Sequence, residues 1–424
     1  MPAEKRNFIT TTIYQVLLRV GWIFKTESVI IPAALDSIGG VGWMRGCLPM
    51  LNRIGQSFPT LLIWPLIKNA GRQRNWLCAT TTLMGVLFCA SSVIWLADLQ
   101  STGSLAQTLF LFIYALFFVA VGINQLALSS LIGKLIRADL RGRLMLAANT
   151  LGCLFSVAAA WLVLRNWLTT SEADFGAIFG TSGLLFILAG LSALLIKESP
   201  NAKISEERYH LKSILNDVRM TFVGDRHFRV LLIISGLFGL SMTLMPHYQS
   251  LGRSRLHLGF EDLLPWLIIQ NIGVAVFSVP VGSVADRLGN RAALRLVMSI
   301  LIAAPILALF FSQWGVLGRT GFMGVYFLLG LMPVTMRVLA NYSLEFTEQE
   351  NHPRYLVTQS IAMAVPVILT SALVGFLIDR LGYDWVFGGV VGCMIIAWCL
   401  TFRLHEPRVF EDGTRLDDKE KRSV

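Results

Sequence analysis

Several charged and amide side chains fall inside stretches that are otherwise apolar, and their spacing sorts them onto helix faces. Gln15, Arg19, Trp22 and Thr26 recur at i, i+4, i+7 and i+11, which is one side of a helix. Arg45, Asn52 and Gln56 recur at i, i+7 and i+11, with Arg53 beside that stripe, and Arg337, Asn341 and Glu345 step by four just after Pro333. A guanidinium fork suits carboxylate or phosphate. Arg19, Arg53 and Arg337, flanked by Trp22, Asn52, Gln56 and Asn341, are therefore the candidate substrate-binding set. Structural readings compete: Arg45 snorkelling to a surface, Arg19 and Arg53 paired with each other or with helix-end carbonyls, Asn149 bridging two helices. Glu27 is the acid that lies clearly within an apolar run, so proton coupling is the chemistry assigned to it. On a continuous helix Lys25 lies about 200° around from Glu27 and the two cannot pair. A partner from another helix, Arg53 or Arg45, would instead make Glu27 half of a static salt bridge.

The elements that must position these groups are membrane helices. Hydrophobic residues make up 54% of the 424 residues and charged residues 15%, and apolar runs of about 20 residues each cross roughly 30 Å of hydrocarbon. Phe110–Val121 and Val157–Leu164 are continuously apolar, which excludes the in–out alternation of a transmembrane barrel. An ionisable group inside such a span costs roughly 2.5–3.5 kcal/mol near its centre, so each one is a functional suspect. The net charge of +10 is not gathered into one patch with aromatic partners, which argues against nucleic acid as a partner. The basic residues instead concentrate in one alternating set of loops, the cytoplasmic set by the positive-inside rule. Both termini are then cytoplasmic, and the short loops point to a bacterial inner, or plasma, membrane. The first apolar stretch lacks a small-residue cleavage site and is expected to stay as a helix.

Apolar runs against polar punctuation predict twelve spans: 9–34, 42–67, 75–97, 105–135, 142–165, 174–196, 229–250, 263–285, 292–312, 320–346, 355–379 and 384–403. The fold class is an all-α membrane protein of two pseudo-symmetric six-helix bundles, residues 1–197 and 228–407. Between them lies a cytoplasmic linker, 198–227, in which Leu211, Leu215, Val218 and Phe222 recur at helical spacing, and 408–424 form a cytoplasmic tail. Duplication shows at matched places. Ile196-Lys197-Glu198-Ser199-Pro200 ends the first half and Leu404-His405-Glu406-Pro407 the second; Ile30-Ile31-Pro32 and Leu244-Met245-Pro246 sit near the outer ends of the first spans.

Between two apolar runs stands Gly282-Ser283-Val284-Ala285-Asp286-Arg287-Leu288-Gly289-Asn290-Arg291. The pattern G-x-x-x-D-R-x-G-x-R resembles the inter-helix signature loop of the major facilitator superfamily of secondary transporters. By that resemblance Gly282, Asp286, Arg287, Gly289 and Arg291 form a gating loop: Gly282 permits close helix approach, Asp286 faces the start of the fifth helix near Arg141 and Arg143, and the arginines hold the cytoplasmic surface. The first-half counterpart, 64–74, keeps Gly71 but has Lys68 where the acid should be. A near-copy at Gly375–Gly382, with Asp379 and Arg380, falls on the outer side and is expected to serve loop packing or local pairing.

The resemblance implies a monomeric secondary transporter whose halves rock around a midplane site in the lipid bilayer. Its small-molecule substrate is an organic solute, an anion if the arginines bind it. The alternative is proton-coupled efflux of a drug or metabolite through Glu27, although Asn149-Thr150-Leu151-Gly152-Cys153-Leu154 lacks the glycine–proline signature of the family's antiporters. A transport-dead receptor or scaffold would carry an added soluble domain. No phosphate-binding glycine loop followed by Lys-Ser or Lys-Thr is present, the six histidines are scattered without metal-ligand spacing, and no enzyme activity, cofactor or metal is expected.

Overall fold

The computed structural model describes residues 3–68, 71–168, 173–200, 211–346 and 352–404. The expected tail at 408–424 and the His405-Glu406-Pro407 motif lie outside them. The helices are α1 (Ala3–Ile23), α2 (Ile30–Ser37), α3 (Gly42–Lys68), α4 (Gln73–Leu96), α5 (Ser104–Leu135), α6 (Ala138–Ala159), α7 (Arg165–Trp167), α8 (Phe175–Ala193), α9 (Leu211–Gly224), α10 (Arg226–Met242), α11 (Met245–Leu256), α12 (Leu263–Leu288), α13 (Asn290–Phe311), α14 (Gly315–Leu329), α15 (Leu331–Leu344), α16 (His352–Leu381) and α17 (Tyr383–Leu400). Among the described residues ten segments are long and apolar enough to cross a membrane. The two remaining predicted spans correspond to α1 with α2, and to α3, which carry the polar stripes.

The fifth predicted span passes through a π-helical turn at Ala160–Leu164, and three others are broken. The first breaks between Ile23 and Ile30, the seventh between Met242 and Met245, and the tenth at Gly330. In each case a proline follows within the first turn of the next helix: Pro32, Pro246 and Pro333. Proline lacks an N–H and clashes with the carbonyl four residues earlier, so it is tolerated in a helix's first turn and resists being threaded through a longer one.

The chain divides into two compact units. One comprises Met1–Leu211, Met245–Arg253 and His257–Ile268; the other comprises Lys212–Leu244, Ser254–Leu256 and Ile269–Val424. In the first, α4 packs on α8 and α5, α3 on α5, and α1 on α6 and α8. Its core is aromatic: Phe88, Phe110, Phe117, Phe118, Phe175, Phe179 and Phe186 are all buried and meet edge-on or tilted, with Phe88 and Phe117 centroids 4.6 Å apart. Small residues let α4 and α8 approach, since a methyl added at Gly183 would lie 2.7 Å from the Gly85 carbonyl oxygen. A buried network ties three helices, with Asn124 donating to Thr81 Oγ1 at 2.6 Å and to Tyr14 Oη at 3.0 Å. In the second unit α10 packs on α16 and α17, and α13 on α14, α15 and α17; α12 and α15 cross where Gly330 meets the Gln270 carbonyl and Gly273.

Glu198 holds one end of the first unit together. Its carboxylate accepts from the backbone N–H groups of Gln73 (3.1 Å) and Arg74 (2.9 Å) at the start of α4, and from Lys134 Nζ (2.7 Å) at the end of α5. The side chain is fully buried, so it supplies both the cap and the negative charge that a helix N-terminus favours. Arg74 returns across the same junction, donating to the Ile196 carbonyl at 2.6 Å. Glu198→Ala strands two amide donors and takes the counter-charge from Lys134, and should lower unfolding stability by about 3 kcal/mol, read as a fall in melting temperature of the detergent-purified protein.

Candidate functional site

The site grows out of the interruption in the first span. After Ile23 the chain turns, and Thr26 Oγ1 donates to the Ile23 carbonyl at 2.9 Å, meeting one of the acceptors left open at a helix end. The turn brings Lys25 Nζ to 2.9 Å from Glu27 Oε1. The expectation that these two residues cannot pair is therefore wrong, because it assumed helical backbone through Phe24–Val29, where the structure has a turn. The other carboxylate oxygen, Glu27 Oε2, accepts from Asn52 Nδ2, and Gln56 Nε2 donates to Asn52 Oδ1 at 2.6 Å. Lys25 is fully buried while Glu27 keeps 32% of its side-chain surface exposed.

The Lys25 ammonium is also enclosed by rings. It lies 3.2 Å from the Trp22 centroid, 4.6 Å from Phe117 and 4.7 Å from Phe118. Desolvated cation–π contacts of this kind are worth about 2 kcal/mol or more. Trp22, expected to touch substrate, is one wall of this box; its ring also meets Phe186 edge-on.

Two of the arginines have separate partners. Arg19 Nη1 donates to Asn149 Oδ1 at 2.9 Å, joining α1 to α6, and the stem of Arg19 passes Gly152, where a methyl would clash with it. Arg45 is held by Asp36 (Nε to Oδ1, 2.5 Å) and by the Gly40 carbonyl (3.4 Å). Arg53 is half-buried on α3 next to Asn52, and Arg337 and Asn341 stand exposed on one face of α15 in the second unit.

The Gly282–Arg291 segment turns in one residue. Gly289 has φ +88° between α12 and α13, and Gly382 has φ +85° between α16 and α17, so both copies of the pattern need glycine at the same place. Beyond the turn, Asn290 Nδ2 donates to Glu345 Oε1 at 2.8 Å and Arg291 Nη1 to the Leu404 carbonyl at 3.3 Å. Asp286 and Arg287 are exposed. Gly282 does not serve close helix approach here: a methyl placed on it meets nothing within 4 Å. The near-copy's neighbour Asp384 takes both terminal nitrogens of Arg255, at 3.0 and 2.5 Å, which is local pairing within the second unit.

Sequence reasoning missed Lys25, Asp36 and Glu198 as partners. The signal available was the proline at matched places in both first spans, since interrupted helices in corresponding positions mark the sites of transporters built from repeats. Among the described residues no cluster of His, Cys, Asp or Glu could hold a metal ion.

Residues 231–422 match the family model described as Major Facilitator Superfamily. The chain superposes on the nucleoside transporter NupG, in a mutant form, with a TM-score of 0.72 at 12% identity, covering 93% of this chain and 99% of that one. The chain has the major facilitator superfamily fold. The same fold relates it to a D-xylose–proton symporter (TM-score 0.70, 14% identity, 96% of this chain and 99% of that one). It likewise relates it to a bacterial homologue of the human lysosomal transporter Spinster, inward-facing and unoccupied (0.60, 12%, 95% and 97%). No curated protein matches the chain by sequence. Within this major facilitator fold the pseudo-repeat is visible as chemistry: Arg74 to the Ile196 carbonyl in one unit and Arg291 to the Leu404 carbonyl in the other.

Gly289 offers a direct check on the loop. Gly289→Ala forces a side chain into a conformation reserved for glycine and should cost about 1–3 kcal/mol; a melting temperature equal to that of the parent protein would show that the turn relaxes without strain.

Proposed function

We propose that the protein is a secondary transporter of a small organic solute, working by alternating access, and that the solute is neutral or anionic. The observation that carries this reading is the broken first span of a major facilitator fold, with a paired and partly exposed Glu27 at the break. Non-helical backbone at membrane depth is tolerated where it lines a cavity or is buried in protein, and in repeat-built transporters it supplies the binding groups. Two structural neighbours are named as a nucleoside transporter and a D-xylose–proton symporter, which supports small polar solutes as the class.

Arg19, Arg53 and Arg337 are the proposed anion-binding groups, since a guanidinium fork pairs with carboxylate or phosphate. Asn52, Gln56 and Asn341 would add hydrogen bonds. Asp286 is proposed as the latch that meets the start of α6 near Arg141 or Arg143 in one state and lets go in the other, with both termini on the cytoplasmic side of a plasma membrane.

The test is reconstitution. A thermal-shift screen of the purified protein against a metabolite library identifies a stabilising solute by mass action, and the same solute must then accumulate in, or leave, proteoliposomes. Arg337→Gln should lower transport of an anionic hit by about tenfold or more, the worth of one charge-assisted hydrogen bond. Asp286→Asn should slow transport while leaving equilibrium binding nearly unchanged. A hit that binds but never crosses the membrane would contradict the transporter reading.

A further inference from the structure

Lys25 is a cation inside a site built to hold one. Three aromatic faces and a carboxylate surround its ammonium, at 3.2 Å (Trp22), 4.6 Å (Phe117), 4.7 Å (Phe118) and 2.9 Å (Glu27 Oε1). Aromatic boxes closed by an acid are how proteins bind free alkylammonium groups. Here the occupant is tethered to the chain, and it takes one oxygen of Glu27 while Asn52 takes the other.

We propose that Lys25 is a specificity-determining residue: it fills an ammonium site at the break in the first span and so bars amine-bearing solutes from Glu27, leaving the carboxylate's exposed edge to accept O–H or N–H donors from neutral or anionic ones. The argument deepens the proposed function, because it assigns the sign of charge that the site refuses. Its geometry follows from the sequence. Lys25 and Glu27, two residues apart, reach each other only because the backbone between Ile23 and Ile30 is not helical, and Pro32 keeps α1 and α2 from fusing. Phe117 and Phe118 are wholly buried and locked by neighbouring rings, so the box keeps its shape when the lysine side chain is taken away. The polar stripe adds no second acid: Arg19 is bound to Asn149, and Gln56 to Asn52. An amine that entered would meet Arg19 and Arg53 on the adjoining helix faces, with Glu27 already engaged.

The experiment is chemical rescue in detergent. Lys25→Ala removes the atoms equivalent to n-propylammonium, so n-propylammonium chloride is the probe, with sodium chloride and 1-propanol as controls. The alanine variant should be stabilised in a thermal-shift titration by n-propylammonium and by neither control. Its dissociation constant should be at least about tenfold below that of the parent protein, where the site is filled. Adding Glu27→Gln to Lys25→Ala should abolish the response. Equal responses in parent and variant, no response in a folded variant, or rescue that survives the loss of Glu27 would each overturn the proposal.

Should Lys25→Ala not fold, the volume-conserving pair decides. Lys25→Met and Glu27→Gln should each lower the melting temperature, and the double variant should be more stable than either single one, as expected when a lone buried charge costs more than a lost pair. Strictly additive losses would overturn it. Neither arm involves transport, so failed rescue with intact solute transport removes this inference alone. Intact rescue with no transported solute removes the transporter reading alone.

Discussion

A fully buried ammonium must have an anion beside it, and in this protein that requirement shapes the first span. Lys25 sits at 0% exposure; an unpaired charge there would cost several kcal/mol. The carboxylate that answers it, Glu27, can reach only from a chain that has left the helix. The interruption, the aromatic box and the Asn52–Gln56 relay on α3 are thus one construction. Helix breakage costs backbone hydrogen bonds in a span, and the ion pair with its ring contacts offsets that cost locally.

The same economy recurs at the helix ends. Glu198 caps α4 in the first unit, with Arg74 returning to the carbonyl of Ile196. Arg291 makes the corresponding contact to the Leu404 carbonyl in the second. The first and the seventh predicted spans are both interrupted ahead of a proline, Pro32 and Pro246. A duplicated unit carries its capping chemistry with it, since a buried helix terminus needs the same partners wherever the unit sits. The first-half loop has Lys68 where the signature acid would stand, and the α4 terminus that follows it is met by the Glu198 carboxylate.

Much of the fold was readable because hydrophobic periodicity and loop chemistry are local. Most of the helices, the linker helix α9 among them, follow from runs and spacing within a few residues, whereas the breaks in the first, seventh and tenth spans do not. The candidate site was readable only in part. Asn52 and Gln56 do share a face, as their spacing suggests, while the contact of Asn52 with Glu27 was not foreseen. Trp22 walls in Lys25, and Arg45 answers Asp36, neither of which was foreseen. Each of these depends on a backbone break that hydropathy alone cannot show, because Phe24–Val29 is as compatible with a helix as its neighbours until the proline and the buried charge are weighed together. Arg19 shows the converse: its helical face and the helix-bridging role of Asn149 were readable, while their pairing with each other was not.

The account turns on the geometry at Lys25, which a side-chain-resolved cryo-EM structure of the full chain in lipid nanodiscs measures directly. It predicts a turn between Ile23 and Ile30, Lys25 Nζ within hydrogen-bond distance of Glu27, and the Trp22, Phe117 and Phe118 rings closed around it. An unbroken helix through residues 9–34, with Lys25 and Glu27 on different sides, would contradict it.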